Sequence, residues 1–192
     1  VRGASSVVAV SEGVAARVRE LGGNRLRVVP NGVDTRIYNL ETAPLSPAEL
    51  AQMGISKPYF LYAGTASEWQ DAQAFGAALL SDPELTDRFQ LVYVGGGSRW
   101  ADLERLQSSA PAGSIILSDT VPPGRVASLL RGARAALVSI APGKDYDFAY
   151  PTKVLAALAC GTPVLYAGPG PARADVERGS FGLTCSTECE DL

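Results

Sequence analysis

Only three of the 17 basic residues in this chain are lysines, Lys57, Lys144 and Lys153. Two of them flank or enter the tract YPTKVLAALACGTPVLYAG, Tyr150 to Gly168. This tract predicts a helix that opens on Pro151, Thr152 and Lys153, runs through small apolar residues and stops at Gly161, with a buried strand directly after. A helix N-terminus carries free N–H groups and a partial positive charge. A lysine there works against the helix by a few tenths of a kcal/mol to about 1 kcal/mol. An anionic ligand reverses that sign, because dipole, amides and ammonium then converge on one phosphate. The chemistry suggested is therefore phosphate binding by the amides after Pro151 together with Thr152 and Lys153. The alternative is an exposed lysine tolerated at small cost. Ala156, Ala157 and Ala159 allow close helix–sheet packing and need no catalytic role.

Three other stretches end strands in residues suited to ligand approach. FLYAGTASEW, Phe60 to Trp69, places Gly64 and Thr65 where a strand gives way to a turn; they either present backbone amides to a ligand or simply turn the chain. Trp69 is read as a packing residue. LVYVGGGSRW, Leu91 to Trp100, sets Gly95, Gly96 and Gly97 between a strand and a helix, where backbone can approach a ligand closely or only turn. Its pattern is neither GxGxxG nor a P-loop. ILSDTVPPGRVASLL, Ile116 to Leu130, puts Asp119, Thr120 and Val121 at a strand's carboxyl end, in reach of a base edge or as plain turn residues. Gly168-Pro169-Gly170-Pro171 reads as a tight, stiff turn.

Composition narrows the rest. With 192 residues, 46% of them hydrophobic and 19% charged, the chain can bury a core as one sizeable domain, with or without a fragment of another. A formal charge of −3 argues against general nucleic-acid binding. The sequence contains no histidine, so a Ser-His or Cys-His nucleophile pair cannot be built from it. Cys160, Cys185 and Cys189 are odd in number and lack CxxC spacing, which speaks against a disulfide framework or a zinc site. No apolar run reaches a membrane span and no signal peptide is legible, so a cytoplasmic location is expected.

Short apolar runs alternate with helical patterns. Strands are predicted at Ser6–Val10, Leu26–Val29, Tyr59–Ala63, Gln90–Val94, Ser114–Leu117, Ala135–Ser139, Pro163–Ala167 and Gly182–Cys185. Helices are predicted near Glu12–Leu21, Pro47–Met53, Asp71–Leu80, Arg99–Gln107, Gly124–Arg131, Thr152–Cys160 and Pro171–Arg178. Near-continuous apolar strands at βαβ spacing imply an α/β, Rossmann-like doubly wound parallel sheet, with ligands at the carboxyl ends of its strands. Ser46-Pro47-Ala48-Glu49 is a capping box. Pro30 to Pro44 reads as an inter-domain linker, and residues 1–38 as the remnant of a preceding domain plus a hinge, leaving 39–192 as the main domain.

In this order, VVAVSEGVAARVRELG, RLRVVPNGVDT, FLYAGTASEW, LVYVGGGSRWADLERL, DTVPPGRVASLL and YPTKVLAALACGTPVLYAG resemble the donor-binding half of family-4 glycosyltransferases of the GT-B fold. The resemblance covers nearly the whole chain, and VPNGVD with PTKVLxALACGxPV is its most specific part. It implies a retaining transferase whose donor is a nucleotide diphosphate sugar, with no covalently bound cofactor and no metal. It also implies a missing N-terminal acceptor domain and a glycan or lipid acceptor, with the inner membrane face as one place for it. By position, Gly64 and Thr65 would lie beneath the diphosphate, Gly96 and Gly97 would border the nucleotide, and Thr120 and Val121 would meet the base. Pro151, Thr152 and Lys153 would face phosphate and sugar, with Lys153 the catalytic cation.

The chain departs from the family pattern in three ways. Phe148 and Ala156 stand where the family has two glutamates, with Asp147 the neighbouring carboxylate offered as a substitute. The segment Ala66 to Asp71 supplies no arginine-lysine pair, which leaves Lys153 or Lys144 as the replacement charge. The acceptor domain and its closing helix are absent, so the isolated chain is expected to be inactive. A degenerate binding or scaffold domain and a GT-B sugar-nucleotide epimerase are the competing readings. A dehydrogenase fits least, because the glycines do not form GxGxxG after the first strand.

Overall fold

The computed structural model describes residues 3–187, so Cys189 lies outside the described residues. Near the N-terminus, β1 (Val7–Ala9) and β2 (Leu26–Val28) pair in parallel around α1 (Glu12–Glu20) as a separate two-stranded sheet. Ser11 caps α1 by accepting from the amide of Val14 at 3.2 Å. Six further strands make one parallel sheet: β3 (Tyr59–Thr65), β4 (Gln90–Gly96), β5 (Ile115–Ser118), β6 (Ala135–Ser139), β7 (Val164–Ala167) and β8 (Gly182–Cys185). Their order is β5-β4-β3-β6-β7-β8. The chain therefore builds outward from β3 in one direction, returns to the centre, and builds outward from β6 in the other. This is the doubly wound α/β architecture that the sequence predicts.

Alternating strand residues feed two cores, as a period of two requires. Leu61, Val92, Val138 and Tyr166 point to the face covered by α6 (Pro123–Gly132), α7 (Thr152–Ala159) and α8 (Pro171–Arg178), with α2 (Pro47–Gln52) at its margin. Tyr62, Tyr93, Ile115 and Leu137 point to the face covered by α3 (Gln73–Ser81), α4 (Pro83–Arg88) and α5 (Trp100–Ser109). Helix α4 is absent from the sequence expectation: it follows α3 directly, with Asp82 as its cap and Pro83 at its first position. At the amino end of the sheet the buried Gln90 closes the loops. Its carbonyl accepts from the amides of Ser56 and Lys57 at 2.7 and 2.8 Å, and its amide donates to Gly54 and Gly113.

Two strands run further than predicted. β3 and β4 stay paired to Gly64↔Gly95 and Thr65↔Gly96, where turns were expected after Ala63 and Val94. A Cβ on Gly95 would stand 2.1 Å from the carbonyl oxygen of Gly64, and one on Gly97 would stand 2.2 Å from that of Ala66. Without side chains, these glycines let two backbone segments lie against each other. On its other side β3 pairs with β6 only at Phe60↔Ala135 and Leu61↔Ala136. Toward its carboxyl end β3 follows β4 and parts from β6, which opens a crevice at the point where the winding reverses. In doubly wound sheets this is where ligands bind.

The segment expected to be a linker is partly anchored. Ile37 and Tyr38 pack against the core under α6 and α7. Arg131 donates to the carbonyls of Thr42 and Cys160 at 3.2 and 2.7 Å, tying the segment to the ends of both helices.

Candidate functional site

The crevice between β3 and β6 opens into a cleft of about 440 Å³. Gly64 and Thr65 of β3, Leu137 and Val138 of β6, Thr152, Lys153 and Ala156 of α7, and Val126 of α6 line it. Asp34 and Tyr38 close it from the N-terminal side. Arg36 holds the Asp34 carboxylate through two side-chain hydrogen bonds, at 2.9 and 2.7 Å, and lowers its pKa to about 2.

Lys153 dominates this cleft. Its stem leaves the first turn of α7, which begins after Pro151 and has no side-chain cap. The side chain then crosses the end of β3 over Gly64, where a Cβ would sit 3.4 Å from both Cε and Nζ. Its ammonium ends 3.8 Å from the centroid of the Tyr62 ring. The stem is partly accessible, but Nζ is buried and has no hydrogen-bond partner. Burial disfavours the charged form and pulls its pKa down to about 7. Sequence reasoning placed this cation at an accessible helix start. The structure places it on the crevice floor, because the parting of β3 from β6 gives the side chain a path inward.

Of the other residues named from sequence, Gly64, Thr65 and Thr152 share this cleft with Lys153. Pro151 is buried behind the helix start. Gly96 faces open space, with nothing within 4 Å of a Cβ position, and Gly97 abuts Ala66. Val121 packs on the core beside α6, and Thr120 is exposed. Lys144, the alternative charge, lines a neighbouring cleft of about 420 Å³ with Ser67, Glu68, Asp71 and Arg99. There, burial raises the pKa of Asp71, and Arg99 and Lys144 oppose the rise. Phe148 turns toward α1: a Cβ on Gly13 would meet its Cβ at 2.7 Å, and its carbonyl accepts from Ser11 Oγ at 3.5 Å. Tyr146 bridges Phe148 to Trp69, on which it stacks at 4.8 Å. Sequence reasoning assigned no site role to Tyr62, Gln70, Asp34 or Tyr38; of these, Asp34 ends the VPNGVD motif and Tyr62 stands two positions before the first strand-end glycine. Among the described residues, no three His, Cys, Asp or Glu side chains converge on a metal-sized site.

Comparison with known proteins fits this geometry. A family model described as glycosyl transferases group 1 matches residues 57–191. The chain belongs to this family. A curated relative, D-inositol 3-phosphate glycosyltransferase of Acidothermus cellulolyticus, is 32% identical over 170 residues, covering 83% of this chain and 37% of the relative. Among solved structures, Anabaena HepE in complex with UDP-glucose matches this glycosyltransferase chain with a TM-score of 0.74 at 20% identity, over 96% of this chain and 50% of HepE. Sucrose-phosphate synthase from Thermosynechococcus elongatus matches with a TM-score of 0.77 at 21% identity, over 99% and 47%. The group 1 chain has the Rossmann-like fold of GT-B glycosyltransferases and spans about half the length of these structures. No helix among its described residues is long and apolar enough to cross a membrane.

Proposed function

We propose that this chain is the donor-binding half of a retaining, family-4-type glycosyltransferase that takes a nucleotide diphosphate sugar into the β3–β6 crevice. The observation that carries the reading is the buried, unpartnered Lys153 ammonium at the start of α7, in the crevice where the winding reverses. The diphosphate sits against the first-turn amides of α7, beside Gly64 and Thr65, with Lys153 beneath it. As the sugar–phosphate bond breaks, negative charge grows on the leaving diphosphate, and a fixed cation with aligned amides stabilises that charge more than the ground state. Residues 1–38 contribute the end of the acceptor-side domain, whose α1 meets the loop at Phe148. The acceptor is a glycan or lipid, presented at the inner face of a membrane. HepE is described with UDP-glucose and the curated relatives as D-inositol 3-phosphate glycosyltransferases, which supports a sugar-nucleotide donor.

Calorimetric titration with UDP, GDP and ADP, each with and without magnesium, tests the reading. Saturable binding of one nucleotide at the same affinity with and without magnesium is expected. A scaffold function has one observation in its favour, Ala156 in the cleft at a position where the family resemblance implies a carboxylate. If no nucleotide binds to the intact protein, the scaffold reading replaces the enzyme.

A further inference from the structure

A cation can be held in a buried crevice in two ways. A carboxylate partner fixes the charge but neutralises it and occupies its N–H donors, whereas an aromatic face attracts the ammonium and leaves the donors available. Tyr62 is fully buried, and its ring lies 3.8 Å from Lys153 Nζ. The ring itself is fixed. Its hydroxyl donates to the carbonyl of Thr65 at 2.9 Å, and it packs against Tyr93 and Phe75 at centroid distances of 5.5 and 6.5 Å. Gly64, between Tyr62 and Thr65, has no side chain to block the path of the lysine.

We propose that Tyr62 is a positioning residue for the donor site. Its ring face holds the Lys153 ammonium on the crevice floor with its hydrogen-bonding capacity free for an incoming diphosphate. This inference rests on the donor-binding reading above. The titratable groups around the pair are Tyr62 and Tyr93, both kept protonated by burial, and Asp71, whose charge interacts with both tyrosines. Asp34 and Tyr38 face the same cleft from the hinge side.

Two measurements on the intact protein test the proposal. The first follows the Cε signals of the lysines by NMR against pH; with three lysines in the chain, Lys153 is assigned by one substitution. Tyr62→Leu is expected to lower the Lys153 midpoint by about one pH unit, because the charged form loses the attraction of the ring face, and Tyr62→Phe to leave it within about 0.3 unit. The second measures UDP, GDP and ADP affinity. Tyr62→Leu is expected to weaken the nucleotide that binds by about tenfold in the native background and by less than about twofold in Lys153→Met. Equal losses in the two backgrounds, or a Phe variant as impaired as the Leu variant, would overturn the proposal. Should Tyr62→Leu not fold, a fluorinated phenylalanine series at position 62 keeps the shape and drains the ring face of electron density; a midpoint unchanged along that series would also overturn it. If no nucleotide binds the native protein, the donor reading fails, while the NMR titration still decides whether Tyr62 holds the ammonium.

Discussion

Replacing Lys153 with methionine is expected to stabilise the fold and to remove most nucleoside-diphosphate affinity. The two effects have one origin, a buried ammonium with no hydrogen-bond partner. Burial lowers its pKa from the ordinary 10.5 to about 7 in the folded protein. Between those values the unfolded chain binds more protons than the folded one, so stability rises with pH from about 7 to about 10.5. Below that window both states carry the charge and the folded state bears the full burial cost, on the order of 4 kcal/mol. Methionine fills the same volume beside the Tyr62 ring without that cost. Urea unfolding without ligand should show the variant gaining most near pH 6 and almost nothing near pH 10. Nucleotide affinity should fall by about 30- to 100-fold, as expected for a lost charge-assisted contact to phosphate. A stability gain independent of pH, or an unchanged affinity, would remove Lys153 from its assigned role.

The second large effect is expected at Gly95. A methyl group there would sit 2.1 Å from the Gly64 carbonyl oxygen and 2.9 Å from its carbon, at a φ of +148°. Neither contact can be relieved by rotating a side chain, because both partners are backbone. Gly95→Ala must separate β3 from β4 just under the Lys153 stem, and a loss of about 4 kcal/mol or more is expected. Gly96→Ala is the control: nothing lies within 4 Å of its Cβ position, and its change should stay within about 0.5 kcal/mol. Chemical denaturation of the pair decides the matter, and equal costs at the two positions would refute the account.

The fold was largely legible because most strands are short apolar runs bounded by turn residues and five of the helices open on a capping serine or a proline, Ser11, Ser46, Pro123, Pro151 and Pro171. The ends of β3 and β4 were misread for a physical reason: glycine permits close approach of any backbone, and sequence does not say whose. Gly95 lies against Gly64 of the neighbouring strand, and Gly97 against Ala66 just past that strand's end. Thr152 and Lys153 stood out through the mismatch between a cation and a helix start, and the structure brings both to one cleft. The depth of the ammonium was not legible, since it depends on β3 parting from β6 after two residue pairs. Tyr62 could not be assigned either, because its ring points to the face opposite the one from which α7 descends. Phe148 marked a departure from the family, but only the structure showed its contact with α1.

The short β3–β6 pairing also bears on how the protein reaches its native state. Strands β3, β4 and β5 follow one another along the chain and pair locally, as do β6, β7 and β8, whereas Phe60 and Ala135 must meet across everything between them. Loop closure disfavours such distant contacts until most of the intervening chain is ordered. The seam is then the final piece to close, and the proposed donor crevice lies along it. In a refolding experiment, secondary structure should recover before nucleotide binding does, with the interval between them reporting the docking of two preassembled halves.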